Sequence, residues 1–184
     1  IVINKPDLKE TETFSLDNLD YTNNRDYFKS GIRICQRMGI SFVNGVECEI
    51  KSKIPFQAGT SSSSAIVVGW INFLAQFSDP PPKWSTKKIG ELAYLAESVE
   101  FGEPGGMMDQ YTTACGGLLK IESEPNVSLQ KIESKLGSLV LGDSCEPKKT
   151  LEILDRCKNL RMNMSGLPHS PKTVKNLKPI NFIL

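Results

Sequence analysis

Four consecutive serines, Ser61 to Ser64, come after Gly59 and Thr60 and stand directly before the apolar run Ala65-Ile66-Val67-Val68. A glycine and hydroxyls at the mouth of an apolar helix are groups suited to holding an anion. The first amides of a helix have no acceptor within it, and the aligned peptide dipoles favour negative charge there. Gly59 permits a left-handed or closely approached backbone, so that several amides reach one phosphate. The serines add hydroxyl donors, oxygen ligands for magnesium, and a cap for the first turn. No lysine occurs in the stretch from Pro55 to Ala65, so it is not the nucleotide loop that ends in lysine followed by serine or threonine. A polar linker leading into a capped helix is the other reading of the same residues.

A second group of residues lies near Asp109. This aspartate comes after Gly105-Gly106 and before Gln110-Tyr111, where a carboxylate sits in a close turn at the start of a short helix. Glu97 lies near the end of the preceding helical pattern, with Glu100 as a neighbouring candidate. One carboxylate could orient magnesium while another orients or deprotonates a substrate hydroxyl, the division of labour that phosphoryl transfer needs. The spacing equally allows Asp109 to cap its helix or face solvent, and Glu97 to lie on a helix surface. Met107 and Met108 read as packing residues. Cys115, beside Gly116-Gly117 and with no histidine nearby in sequence, reads as a small buried side chain rather than a nucleophile. Tyr111 could stack on a sugar or close the core, and His169, between Pro168 and Ser170, reads as a surface residue.

The elements that must position these residues alternate between strands and helices. Short extended segments are expected at Ile1-Val2-Ile3 and from Glu12 to Leu16, and a helix from Tyr27 to Met38, which Gly39 interrupts. Phe42-Val43, Asn44-Gly45 and Val46 to Lys51 predict a hairpin, because Asn-Gly suits the tight mirror-image turn and the second arm alternates. The serine loop then joins strand to helix, with Ile66, Trp70, Ile71, Leu74 and Phe77 at helical spacing. Asp79-Pro80-Pro81-Pro82 ends that helix, and Ser85 caps another patterned by Ile89, Leu92, Ala93, Ala96 and Val99. Leu118 to Ile121 and Leu139 to Leu141 are expected strands, with weaker, mixed periodicity at Leu129, Ile132 and Leu136 between them. Lys149 to Leu160 is expected to be helical.

With 184 residues, 39% hydrophobic and 23% charged, the chain can bury one substantial core. Its formal net charge of +1 and the lack of a dense basic run give no field that would recruit nucleic acid or a membrane. No apolar stretch reaches membrane-spanning length and no secretory leader is visible, so the cytoplasm is the expected compartment. Five widely spaced cysteines and one histidine form neither a disulfide scaffold nor a structural zinc site, and predict reduced, mostly buried thiols. Oligomeric state is left open.

The two loops together carry a family resemblance. Pro55 to Ala65 resembles the phosphate-binding loop of the GHMP small-molecule kinase superfamily. Gly102-Glu103-Pro104-Gly105-Gly106-Met107-Met108-Asp109-Gln110 resembles a segment of its galactokinase-like sugar kinases, in matching order and separation. The resemblance covers roughly 27–160 and implies an α+β fold, the ribosomal-protein-S5-domain-2-like amino-terminal domain of GHMP kinases, with a mixed sheet and packed helices. It places that domain at 1–160 and a linker, or the start of an incomplete carboxy-terminal domain, at 161–184. The family's first and third blocks have no match, so the chain reads as a segment of a longer kinase.

The activity implied is phosphorylation of the anomeric hydroxyl of a monosaccharide by ATP with Mg2+. Gly59, Ser61, Ser62 and Ser63 would contact phosphate, Ser63 and Glu97 would serve the metal, Gly106 would approach the sugar, and Asp109 would face its hydroxyl as base or electrostatic anchor. A catalytically inactive sugar- or nucleotide-binding homologue, and a GHMP kinase for another small alcohol, are the alternatives. The identity of the sugar is open.

Overall fold

The computed structural model describes residues 1–55, 58–134 and 137–142, together with 153, 156, 157, 159 and 160. The chain divides into two compact units, 1–148 and 149–184. In the second, the described residues Ile153, Arg156, Cys157, Asn159 and Leu160 are helical, and the rest of the helix expected from Lys149 to Leu160 lies outside the described residues, as do Cys145, His169 and 161–184.

The first unit is α+β. Strand β1 (Val2–Lys5) pairs antiparallel with β2 (Glu10–Thr13), Val2 opposite Thr13. Helix α1 (Tyr27–Arg37) is next, then β3 (Glu47–Glu49), which adds to β1 in parallel, Val2 opposite Glu47. The result is a mixed three-stranded sheet in the order β2-β1-β3. Helix α2 (Ser62–Phe77), helix α3 (Thr86–Tyr94), one π-helical turn (Leu95–Val99) and helix α4 (Met108–Cys115) come after it in the chain. A hairpin of β4 (Leu118–Glu122) and β5 (Ser128–Ile132) completes the described elements.

Helical spacing of the apolar residues explains the core. Phe28, Ile32 and Cys35 of α1, Val67, Trp70, Ile71 and Leu74 of α2, and Ile89, Leu92 and Ala93 of α3 are buried together over Ile3 of the sheet. Small residues set how closely the helices approach. A Cβ on Gly31 would lie 2.6 Å from the Trp70 ring, and one on Gly90 would lie 3.0 Å from the Tyr111 backbone. The Trp70 indole donates to Phe28 O at 2.9 Å and its ring meets the Phe28 ring edge-on at 5.3 Å, so α1 and α2 are fixed in register as well as in distance. The expected Ser85 cap is formed, its hydroxyl accepting from the Lys88 amide at 3.2 Å. Burial pushes the Cys35 thiol up to about 12, whereas Cys48 and Cys115 are half-buried and Cys157 is exposed, so the thiols are less uniformly buried than the composition suggested.

Two expected strand features do not form. The residues from Phe42 to Lys51 make no hairpin, because Glu47–Glu49 pairs with β1 instead and Val43 is 85% exposed. The first arm offers only two apolar residues, and one of them, Phe42, stacks on Phe77 of α2. Leu139 to Leu141 form no strand either, with Val140 96% exposed. The partner of β4 is the nearer segment Ser128–Ile132, where Ile121 faces Leu129 across the pair.

The segment before α1 is pinned by a buried lysine. Lys29 Nζ donates to Asp26 Oδ2 at 3.0 Å, Asp20 O at 2.9 Å and Thr22 Oγ1 at 3.2 Å, which uses all its protons. Lys29→Met would leave the Asp26 carboxylate buried without its counter-charge, and is expected to cost about 3–5 kcal/mol in urea unfolding. A loss below about 1 kcal/mol would show that water replaces the ammonium there.

Candidate active site

The loop before α2 adopts an unusual backbone. Gly59 has φ +78° and Ser61 has φ +54°, both left-handed. For serine that conformation costs on the order of 1–2 kcal/mol. Ser61 stands at the N-cap of α2, yet its hydroxyl makes no cap, contrary to the sequence expectation, because a left-handed residue turns its side chain away from the first amides. The first intrahelical bond runs from the Ala65 amide to Ser61 O at 3.0 Å. Among the described residues nothing accepts from the amides of Ser62 and Ser63. Thr60 closes the loop by donating to Pro55 O at 3.2 Å, and Phe56 and Gln57 lie outside the described residues.

Glu97 is placed by the π turn. The Glu100 amide reaches back to Leu95 O, and Ala96 O takes the hydroxyl of Ser30 instead, at 2.8 Å. One extra residue in the turn rotates the side chains beyond it, and such turns recur at functional sites. Glu97 is only 6% exposed and so is not a surface helix residue. Its Oε2 accepts from Gln110 Nε2 at 2.6 Å, and no described donor is hydrogen-bonded to its Oε1.

Gln110 links the two blocks. Besides Glu97, its amide nitrogen approaches Ser64 Oγ of the first turn of α2 at 3.5 Å, the limit of a hydrogen bond. Its carbonyl, Oε1, is buried without a partner among the described residues, which typically costs about 1–3 kcal/mol. The structure therefore brings together Ser64, Glu97 and Gln110. Ser63 and Asp109 are their immediate neighbours in the chain, half-buried and exposed respectively, and no hydrogen bond joins Ser63 to Asp109 or Glu97. Gly106 is exposed, as is Asp109 in the first turn of α4, where its charge is favoured by the helix dipole. Tyr111 is buried against Gly90 and closes the core, and Met108 is 66% exposed rather than packed.

The loop carrying Gly105 and Gly106 is clasped from the side of α1. Arg37 makes a two-pronged bond to Glu100, Tyr21 donates to the same carboxylate at 2.7 Å, and Arg25 holds Glu103 at 2.6 and 3.1 Å. The Phe101 ring lies 5.2 Å from that of Tyr21 and 6.0 Å from that of Tyr27. Glu100, a candidate acid from sequence, is thereby committed. The Arg37 guanidinium, together with the Tyr21 hydroxyl, holds its carboxyl below the usual range against the opposing effect of burial. Burial and this carboxylate push the Tyr21 phenol up to about 12.

The donor set suits magnesium. That ion takes one or two carboxylates and completes its shell with phosphate oxygens and water rather than with a cage of protein ligands. One carboxylate with an oxygen not engaged among the described residues, linked through Gln110 to Ser64 in the first turn of α2, is compatible with that requirement. Among the described residues no group of three or more His, Cys, Asp or Glu side chains forms a metal cage.

A helical layer lies on a mixed sheet, and the first turn of α2, the π turn and α4 meet at Gln110. The family model for the GHMP kinases N terminal domain matches residues 26–117, half of the chain, and the chain belongs to that family. It is similar to the galactokinase of Thermococcus kodakarensis, 31% identical over 109 residues, covering 59% of this chain and 30% of that protein. It is also similar to the galactokinase of Pyrococcus furiosus, 32% identical over 108 residues, covering 58% of this chain and 30% of that protein. The matched stretch thus spans less than a third of either relative. No helix among the described residues is long and apolar enough to cross a membrane.

The clasp generates a pH prediction. Because the Glu100 pKa is lowered on folding, its contribution to stability is present above the ordinary carboxylate pKa and lost as pH falls through the depressed value. Arg37→Met is expected to raise the Glu100 pKa, read from its side-chain carboxyl resonance, and to cost no more than about 1 kcal/mol, since the arginine is more than half exposed. An unmoved Glu100 titration would show that Arg37 is not what holds it.

Proposed function

We propose that this chain is the nucleotide-binding and base-bearing part of a cytoplasmic sugar kinase that transfers the γ-phosphoryl group of ATP to the anomeric hydroxyl of a monosaccharide. The observation that carries the reading is the Ser64, Gln110 and Glu97 contact, which draws the N-terminus of α2 and the start of α4 to one place. In this reading 1–160 is the amino-terminal domain and 161–184 a linker or the start of a further domain.

The amides of Ser62 and Ser63, unclaimed among the described residues, with the hydroxyls of Ser61 to Ser63 and the left-handed turn at Gly59, hold the β- and γ-phosphates. The base of the nucleotide has a natural place beside them. A mainly apolar cavity of about 390 Å³ runs along α2 from Ala65 and Ile66 to Phe73, walled on its other side by Cys48 to Ser52. Ser63 and Glu97 would hold a magnesium ion, which would supply positive charge against the phosphate oxygens. Gly106, with no Cβ, lets the sugar approach the backbone. Asp109 accepts the proton of the attacking hydroxyl and keeps the oxygen in line with the phosphorus. No described side chain donates to the Asp109 carboxylate, which leaves it available for that role.

In the complete natural chain, Asp109→Asn is expected to leave the melting temperature and ATP affinity nearly unchanged and to reduce turnover at saturating sugar by at least about tenfold. Unaltered turnover would remove Asp109 from catalysis. A panel of hexoses and pentoses with radiolabelled ATP identifies the acceptor, and the absence of transfer to every sugar would defeat the sugar-kinase reading.

A further inference from the structure

Gln110 is spent in a way that packing alone does not require. It is 3% exposed, its amide nitrogen makes the 2.6 Å bond to Glu97 Oε2, and its carbonyl oxygen is the buried side-chain polar atom left without a partner among the described residues. The orientation of the amide is set by chemistry, since the reverse would bring a carbonyl oxygen against the carboxylate. An apolar side chain of the same length would fill the space with no orphaned oxygen. What it would not do is hold Glu97.

We propose that Gln110 is a positioning residue for the divalent cation of the nucleotide site: its amide donor fixes one oxygen of Glu97 so that the other is presented toward the N-terminus of α2. The Glu97 carboxylate rides on a π turn whose backbone is tied to α1 through Ser30, but the bond from Gln110 is what sets the rotation of the carboxylate itself. Gln110 also leans on Ser64, so the element bearing the metal-directed carboxylate and the helix bearing the phosphate-directed amides share one contact. Second-layer partners that orient a ligating carboxylate typically change metal affinity by about 10–100-fold when removed. The same group that holds Glu97 adjoins Asp109 in the chain, so the cation and the base are set from one short segment.

This inference rests on the reading of the serine loop as a polyphosphate site served by magnesium. Its test uses ADP binding to the complete natural chain, measured by calorimetry with and without magnesium. Gln110→Met, similar in length and lacking the donor, is expected to bind ADP without metal within about twofold of the natural protein, while the magnesium concentration that produces half of the affinity gain rises about tenfold or more. Gln110→Asn keeps the amide one methylene short of Glu97 and is expected to show the same selective loss should the methionine variant not fold. A folded variant that retains the natural magnesium dependence overturns the proposal, and so does a parallel loss of metal-free and magnesium-dependent affinity, which marks a purely structural glutamine. A natural protein that binds ADP without any gain from magnesium overturns the metal-site reading beneath it, and is told apart because the failure then appears before any substitution is made.

Discussion

A carboxylate taken into a helical core must be given a donor there or be neutralised, and this constraint organises the domain. Glu97 lies on a turn packed against α1, α2 and α3, and Gln110 of α4 supplies the donor. Everything else must be arranged so that the two meet. The π turn rotates Glu97 inward, Gly90 lets α3 lie against the backbone of α4 at Tyr111, and Gly31 lets Trp70 reach α1. Each of these close approaches relies on a missing side chain or an extra residue, and each places a group where a regular helix would not. Local regularity is given up in the places where chemistry needs direction.

The same trade is visible at the serine loop. A serine with ordinary backbone angles would cap α2 and satisfy one of its amides. Ser61 instead takes a left-handed conformation, and among the described residues nothing accepts from the amides of Ser62 and Ser63. Two sources of local stability, the cap and a relaxed backbone, are therefore both forgone at one residue. Residues held in sparsely populated backbone regions cluster at active sites and ligand clamps. The clasp of Arg37 and Arg25 on Glu100 and Glu103 works in the opposite direction, restraining a glycine-rich loop that would otherwise sample many conformations.

Much of this was legible in the sequence, and the remainder was hidden for a physical reason. Helical period carried α1, α2 and α3, because Ile66, Trp70, Ile71 and Leu74 recur at helical spacing and a helix is decided locally. Ser85 announced its cap for the same reason. Strand pairing is decided by a distant partner, so the Asn44-Gly45 turn signal lost to β1, whose residues lie more than 40 positions away from their β3 partners. The apolar Leu139 to Leu141 looked like a strand because composition marks the capacity to pair and not the presence of a neighbour. Among the site residues, Glu97 and Asp109 were visible as carboxylates near glycines, yet the acidic alternative Glu100 could be separated from them only by its ion pair with Arg37, 63 residues away. Gln110 was visible only as the end of the family-like segment, and no role was read from it, since a glutamine reads as polar surface until its burial is known.

That last point bears on how the family's chemistry can vary. A buried amide holding a buried carboxylate is a pair whose members depend on each other: removing the donor strands a charge, while removing the charge strands a donor. Such a pair resists change one residue at a time, even where neither member touches substrate. The exposed residues around it have no such buried partner among the described residues. Gly106 and Asp109 lie at the surface of the same segment while Gln110 and Glu97 lie in its core, so a substitution at Gly106 leaves the buried pair in place. On the proposed reading, the buried pair keeps the cation-directed carboxylate fixed, while the fit of the alcohol is set on the exposed rim at Gly106.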